Sequence, residues 1–343
     1  MPSIEVERNM PRQARIDAPG ALHHIICRGI ENWDIFKDEA DRGNFLNRLG
    51  RILGETSTPC YAWALMLNHF HLLLQTGHVP VATVMRRLLT GYAVTFNRKY
   101  RRHGHLFQNR YKSILCQEDA YFLELVRYIH LNPLRGKIVS TMRELDHYGF
   151  SGHSVLMGKR KNGWQEVHKV LSLFGDRLAL ARKRYREFVA KGIALGKRPD
   201  LIGGGLIRSS GGWQALKSMR KLGIHQKSDE RILGDGDFVE SVLKRQEEQF
   251  ERKYQIQARG YGFRDVVERV EKLFEIEPQE ILSPSKKPKR VQARSLVCYW
   301  AIRELGMAGT AVAEMLGLVQ SSVTRAVERG SKIAADNQLT LYE

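Results

Sequence analysis

Residues 60–76 read Cys60-Tyr61-Ala62-Trp63-Ala64-Leu65-Met66-Leu67-Asn68-His69-Phe70-His71-Leu72-Leu73-Leu74-Gln75-Thr76. The run is apolar, rich in aromatic residues and free of proline until Pro80. Such a run predicts β-structure, as one long bent strand or two in succession. Side chains on a strand alternate between faces, so His69 and His71 project together and Phe70 points the other way, into a core. Two neutral imidazoles side by side make half a metal site. Two inert, hydrogen-bonded histidines on a half-buried strand would give the same pattern, so the flanking sequence has to choose between the two readings.

Upstream, Ala21 to Arg28 reads as a strand after a polar, basic arm (residues 1–20). Asp38 to Leu53 has the helical spacing Phe45, Leu46, Leu49, Ile52, with Asp38 placed to cap it. Downstream, Val79 to Tyr100 reads as a helix with Val84, Leu88, Leu89, Tyr92 and Phe96 on one side. Gly104 to Cys116 reads as a strand, and Glu118 to Asn132 as a helix stopped by Pro133. This order predicts an α+β fold: an antiparallel β-sheet with flanking helices.

The 343-residue chain holds 55 Lys and Arg against 37 Asp and Glu, a net charge of +18. That surplus points to a polyanionic partner, nucleic acid first and an anionic membrane second. Between Glu55 and Glu118 there is no acidic residue. Arg86, Arg87, Arg98, Lys99, Arg101, Arg102, Arg110 and Lys112 fall in that interval, which reads as a phosphate-binding surface rather than an ordinary solvated helix face. Trp63, Tyr92, Phe107 and Tyr111 are interleaved and either stack bases or fill the core. Cys27, Cys60, Cys116 and Cys298 show no paired spacing, against a disulfide framework or zinc ribbon and in keeping with a cytoplasmic location. No apolar stretch is long enough for a signal peptide or a membrane span, so no membrane partner is expected.

Tyr128 and Asn132 are four apart on the predicted third helix and share a face. A tyrosine hydroxyl can attack a phosphodiester and store the bond as a phosphotyrosine. The Asn132 amide offers a neutral oxygen to complete a divalent site. Together, Asn68-His69-Phe70-His71, Gly104-His105-Leu106-Phe107-Gln108-Asn109-Arg110-Tyr111-Lys112 and Tyr128-Ile129-His130-Leu131-Asn132-Pro133 resemble the REP-associated tyrosine transposases, in the single-tyrosine branch of the HUH (His-hydrophobic-His) endonucleases. The resemblance spans roughly residues 10–150. It implies a His pair on a central strand and a nucleophilic tyrosine on a facing helix. His69 and His71 would then be metal ligands, Asn132 the polar third ligand, Tyr128 the nucleophile, and the ion Mg²⁺ or Mn²⁺.

Beyond residue 150 the composition changes. Residues 151–165 read as a linker and Glu166 to Ala194 as a helix. Leu201 to Trp213 is Gly-rich without the Lys-Ser/Thr ending of a phosphate-binding loop, and reads as a turn. Asp229 to Lys253 reads as a charged helix. At the C-terminus, Phe263 to Phe274 is amphipathic, and Ala293 to Leu305 reads as a second helix. Between them lies a basic loop carrying Lys286, Lys287, Lys289 and Arg290. Gly309 to Leu318 and Gln320 to Arg329 read as a helix-turn-helix with Gly317 in the turn. Gln320, Ser321, Ser322, Thr324 and Arg325 open its recognition helix. This segment resembles the DNA-binding domain of the bacterial replication initiator DnaA, although Leu318-Val319-Gln320-Ser321 stands where that family carries Gly-Arg-Asp-His. A small helical protein-interaction bundle is the other reading.

The expected organisation is a catalytic domain at 1–155, a helical extension at 156–255 and a helix-turn-helix domain at 256–343. The expected activity is metal-dependent cleavage and transfer of single-stranded DNA at hairpin-forming repeats, through a 5′-phosphotyrosine. Single-stranded or hairpin DNA would bind the catalytic domain and duplex DNA the C-terminal one, in a monomer or homodimer at the bacterial nucleoid. The competing expectation is a domesticated DNA-binding protein that no longer cuts. A metal-dependent hydrolase of small phosphoesters is disfavoured by the charge.

Overall fold

Strand β1 (Leu22–Arg28) lies at the centre of the sheet. It pairs with β3 (His69–Gln75) on one side and β4 (Lys112–Cys116) on the other, and β2 (Cys60–Leu65) flanks β3. All three pairings are antiparallel. The apolar run at 60–76 is thus two strands, reversed at 66–68, where the Met66 N–H donates to the His69 carbonyl at 2.9 Å. A two-residue strand, β5 (Ile232–Leu233), adds to β4 in parallel and completes the order β2-β3-β1-β4-β5. The structure, a computed structural model, describes residues 16–18, 20–77, 79–196, 198–202, 229, 231–246, 261–283 and 285–341. It divides into two compact units, Met1–Ser241 and Val242–Glu343.

In the first unit, helices α1 (Glu39–Thr56) and α2 (Val81–Lys99) cover one face of the sheet. Phe45, Leu49, Leu88, Tyr92 and Phe96 pack there against Ile25, Phe70, Leu72 and Leu74. Asp38 caps α1 by accepting the Asp41 N–H at 2.8 Å, as its position predicts. Helix α3 (Glu118–Arg135) covers the opposite face, packing Phe122, Leu125, Val126 and Ile129 on Leu22, Ala62, Ala64, Leu73 and Ile114. The expected α+β fold is present, with a parallel edge strand added.

Several elements differ from the sequence reading. The strand expected over 104–116 begins only at Lys112, because Gly104 (φ +86°) and Asn109 (φ +58°) turn the chain out of the extended region. Pro133 does not stop α3 but sits in its last turn. There its ring removes only the donor that would have reached Ile129, and the helix closes with the Gly136 N–H on the Asn132 carbonyl at 2.7 Å.

The linker expected at 151–165 is packed structure. Ser151 bridges to Ala64 and Gln165 to Cys60, and the Trp63 indole donates to Gln165 Oε1 at 2.8 Å. This segment covers edge strand β2, which would otherwise present unpaired backbone groups. Four helices lie between residues 142 and 191: α4 (Met142–His147), α5 (Gly152–Leu156), α6 (His168–Ser172) and α7 (Leu178–Lys191). The single helix expected over 166–194 is therefore two, parted around Gly175 at φ +136°. Leu171, Ala181, Tyr185, Val189 and Leu201 join the core beneath α3, so residue 155 marks no boundary of packing. Of the Asp229–Lys253 helix, 231–235 are non-helical and 236–246 helical. Residues 1–15, 203–213 and 247–253 of the sequence reading lie outside the described residues.

The second unit holds α8 (Phe263–Phe274), α9 (Pro278–Leu282), α10 (Pro288–Arg303), α11 (Gly309–Met315) and α12 (Gln320–Asp336). Helix α10 starts five residues before the expected Ala293, so Lys289 and Arg290 lie in its first turn rather than in a loop. Gly317, at φ +58°, turns the chain between α11 and α12. Val266, Val270, Leu296, Val297 and Trp300 form one part of its core, and Val312, Leu316, Val323 and Ala326 another.

Helices α10 and α12 approach closely because Gly330 has no side chain. A Cβ there would stand 2.0 Å from the Ser295 carbonyl oxygen and 2.7 Å from the Cβ of Tyr299. In an exposed helix Gly→Ala stabilises by roughly 1 kcal/mol. Here the sign reverses, and Gly330→Ala is expected to destabilise the unit by roughly 1–3 kcal/mol, the range for overpacking. Thermal unfolding of the variant checks this; an unchanged or raised midpoint contradicts the packing.

Candidate active site

The strand register decides which side chains meet. Ile26 stands opposite His71 and Arg28 opposite His69 in the β1–β3 ladder. His24, Ile26 and Arg28 therefore share a face with His69 and His71, the face that α3 covers. Phe70 lies fully buried on the other face. The structure brings Tyr128 of α3 down onto the imidazoles. Its ring meets His71 edge-on with centroids 5.8 Å apart, and His24 edge-on at 5.9 Å. His24 and His71 are stacked at 5.2 Å, and His69 lies 5.2 Å from His71.

Helix α3 is fixed over the sheet by a buried chain of polar groups. The His130 and His153 Nδ1 atoms both lie 2.8 Å from the Tyr185 hydroxyl. His153 Nε2–H donates to Asp146 at 3.0 Å, and Arg186 holds the other carboxylate oxygen at 2.8 Å. Because Asp146 accepts from Nε2, the neutral His153 accepts the Tyr185 proton at Nδ1, and the Tyr185 oxygen accepts from His130. Residues of α4, α5 and α7 thus hold α3 two positions from Tyr128.

Residues 20–132 match the family model described as "Transposase IS200 like". This segment is an IS200-like transposase domain. Among solved structures, the chain is similar to a REP-associated tyrosine transposase bound to a REP hairpin, at 12% identity and a TM-score of 0.36, over 46% of this chain and 98% of that chain. No curated protein matches the chain. The match covers about a third of the chain, and a transposase model over these residues points to DNA as their partner. Among the described residues, no helix is long and apolar enough to cross a membrane.

In this segment His69 and His71 are the side chains that would hold a divalent cation. His69 Nδ1 lies 2.7 Å from Asn68 Oδ1, and His71 Nδ1 lies 3.0 Å from His24 Nε2. Among the described residues, no hydrogen bond reaches Nε2 of either histidine. Asn132 is buried with its Nδ2 unpartnered, on the Tyr128 face of α3. No hydrogen bond joins its side chain to the His pair, so the expected third ligand is near in sequence register but not engaged. Among the described residues, no three His, Cys, Asp or Glu side chains cluster to hold an ion by themselves. Two imidazoles would therefore need neutral oxygens, such as the Asn132 amide, water or a phosphate.

The imidazoles are held neutral. Burial, helped by Lys112, pulls His24 down to about 4. Burial, helped by Arg28, does the same to His69. Burial also drives His71 well below its usual value. The Tyr128 hydroxyl is pushed up by burial, with Arg135 and Arg28 opposing.

The expected basic surface divides. Arg86, Arg87 and Arg98 lie on α2, across the sheet from Tyr128, and the structure does not bring them to the His–Tyr cluster. Arg87 is paired with Glu55. Arg86 and Arg110 border a groove of about 540 Å³ with Leu89, Phe107 and Tyr111. Arg98 and Arg101 are exposed, and Arg102 lies 5.3 Å from the Trp33 ring. Lys112 alone of the set is on the His face. Trp63, Tyr92 and Tyr111 are buried and cannot stack bases. Trp33, 55% exposed, is the aromatic that the sequence reading missed.

Three further site residues escape the sequence reading: His24, Arg28 and Arg135. The parity of β1 could have shown the first two. Arg135 lies seven residues beyond Tyr128, past the Pro133 at which the sequence reading ends the helix. Its guanidinium lies 5.4 Å from the Tyr128 ring and donates to the Gly192 carbonyl at 3.2 Å. Its Nε and Nη1 are buried and unpartnered, which leaves two donors for an anion beside the phenol.

The depressed His24 and His69 values set a pH dependence of stability. Below the ordinary pKa of 6.5 the unfolded chain takes up protons that the folded chain refuses. Stability is full above that pH and falls as pH drops toward 4. The slope is up to roughly 1.4 kcal/mol per pH unit for each such residue. Thermal unfolding between about pH 7 and 5 is expected to show a falling midpoint; a flat profile contradicts the buried, neutral imidazoles.

Proposed function

We propose that the chain is a metal-dependent endonuclease and strand transferase for single-stranded DNA, acting at hairpin-forming repeats with Tyr128 as nucleophile. One observation carries the reading: the Tyr128 ring, edge-on to His71 at 5.8 Å, shares its surroundings with Arg135 and with a His pair whose Nε2 atoms carry no hydrogen bond among the described residues. Bound Mg²⁺ or Mn²⁺ at His69, His71 and Asn132 would polarise and orient the scissile phosphate. The Tyr128 oxygen attacks phosphorus and the bond from phosphorus to the 3′-oxygen breaks. The phenolic proton ends on the departing 3′-oxygen, directly or through solvent. A 5′-phosphotyrosine and a free 3′-hydroxyl result, and the reverse attack by a 3′-hydroxyl rejoins strands and restores the phenol. Arg135, Arg28 and Lys112 supply positive charge on this face, where the phosphate gains negative charge.

Incubation of the full chain with labelled single-stranded hairpins and Mn²⁺, followed by a denaturing gel, tests the proposal. A covalent adduct is expected with the wild type and none with Tyr128→Phe, which keeps the ring and removes the nucleophilic oxygen. His69→Ala and His71→Ala are expected to lose cleavage and keep DNA binding that weakens steeply with salt. An adduct with Tyr128→Phe, or full cleavage in EDTA, refutes the assignment. Hairpin binding by every variant with no cleavage by the wild type supports the non-cutting DNA-binding protein instead.

For the second unit we propose duplex DNA binding by α12. Gln320, Ser321, Thr324 and Arg325 are exposed at its N-terminal end, and Ser322 is half-buried. Lys286, Lys287 and Lys289 are exposed for backbone contacts, whereas Arg290 is paired with Glu280. Arg325→Ala in the full chain is expected to weaken duplex binding by roughly 1–3 kcal/mol, the range for a good base contact. Hairpin cleavage should be unchanged. Unaltered duplex affinity would instead favour a protein-interaction bundle.

A further inference from the structure

The segment that follows the transposase domain reaches back into its site. Leu201, in a short helical turn at Pro199–Ile202, places its carbonyl oxygen 3.2 Å from His24 Nδ1. His24 Nε2 in turn lies 3.0 Å from His71 Nδ1. His24 is 0% exposed and His71 4%.

Only one arrangement of protons makes both bonds. A backbone carbonyl accepts and never donates, so the His24 proton is on Nδ1. Burying a doubly protonated imidazole without a carboxylate partner is strongly unfavourable, so His24 Nε2 carries a lone pair. That nitrogen accepts, and His71 is the donor through Nδ1–H. The remaining nitrogen of His71, Nε2, is left with its lone pair. Asn68 Oδ1, 2.7 Å from His69 Nδ1, imposes the same tautomer on the other imidazole when the amide oxygen accepts there. The Asn68 amide group is turned that way by its own bond, since Nδ2 donates to the Asn32 carbonyl at 3.0 Å.

We propose that His24 is a positioning residue for divalent-cation binding: the Leu201 carbonyl fixes its tautomer, and it fixes that of His71, so that His71 presents Nε2 to the ion. The inference rests on the metal-site reading above, and it gives residues 198–202 a part in that site. Buried partners that orient ligating histidines typically change metal affinity about 10–100-fold when removed.

Two variants and one spectrum test it in the full chain without DNA. His24→Phe keeps a ring of similar size and removes both nitrogens. His24→Gln restores an acceptor for His71 and a donor for the carbonyl. Mn²⁺ affinity, followed by the electron paramagnetic resonance of the free ion, is expected to fall about 10–100-fold in His24→Phe and to recover at least in part in His24→Gln. In the metal-free wild type, ¹⁵N NMR should show His71 protonated at Nδ1 and bare at Nε2. His24→Phe should shift His71 towards the other tautomer, a change that a merely space-filling role would not produce. Equal Mn²⁺ affinity in the three chains overturns the proposal, as does His71 protonated at Nε2 in the wild type. If the wild type binds no Mn²⁺, the relay and the metal-site reading fall together. If it binds Mn²⁺ in a His24-dependent way yet leaves hairpins uncut, the relay stands and the nuclease reading falls.

Discussion

Ile26 of β1 stands opposite His71 of β3, and this register decides the composition of both faces of the sheet. Side chains alternate with period two, so a one-residue slip would exchange the faces. With β3 slipped, His71 would lie among Phe45, Leu88 and Phe96, and Phe70 would meet Tyr128. The apolar partners prevent the slip. Ile25, Phe70, Leu72 and Leu74 are fully buried on the α1–α2 face. The polar set is held in place by the burial of its apolar neighbours rather than by its own hydrogen bonds.

The tyrosine depends on a second constraint, the seating of α3. The sequence pattern supplies the apolar face of that helix, but the polar fixings come from residues far along the chain: Tyr185, His153 and Asp146 through His130, and Gly192 through Arg135. The family match ends at residue 132. The helices beyond it nevertheless bury themselves against α3, and β5 extends the same sheet. Physically, the first unit behaves as one body in which later residues set the angle and height of Tyr128 over the sheet. A helix held only by its apolar face could rotate by a fraction of a turn with little loss of burial, and directional hydrogen bonds oppose that rotation.

Much of the first unit was legible in the sequence because its signals are periodic. The alternation at 60–76 and the helical spacings in α1, α2 and α3 are local properties, and the caps and faces followed. What could not be read was set by tertiary contact. Pro133 is a stop signal by propensity, yet in the final turn it forfeits only one donor, so the helix continues and carries Arg135 into the site. The loop at 104–111 has strand-like composition, but Asn109 in a left-handed conformation breaks it. The Gly- and Ser-containing segment 151–165 bridges edge strand β2 at both of its ends, which composition alone does not distinguish from a linker. His24 carries no motif; its place is defined by pairing with a strand far along the chain.

The electrostatics of the site follow from this geometry. His24, His69 and His71 are neutral because they are buried, and the charged groups whose fields reach them are cations, Lys112 and Arg28. Arg135 adds a third positive charge beside Tyr128. Asp200, whose charge also reaches Tyr128, is itself held by Arg198. A divalent cation entering alone would meet neutral nitrogens within a positive field, with no carboxylate cluster among the described residues to balance it. A phosphodiester entering alone would find cations but no ligand bridge to the imidazoles. On the proposed function each ligand neutralises the field that disfavours the other, so cation and DNA strand stabilise one another's binding. The same field opposes protonation of the imidazoles and favours ionisation of the phenol against the desolvation that keeps it neutral. A site built this way holds a metal without DNA and holds it more tightly when the strand is bound.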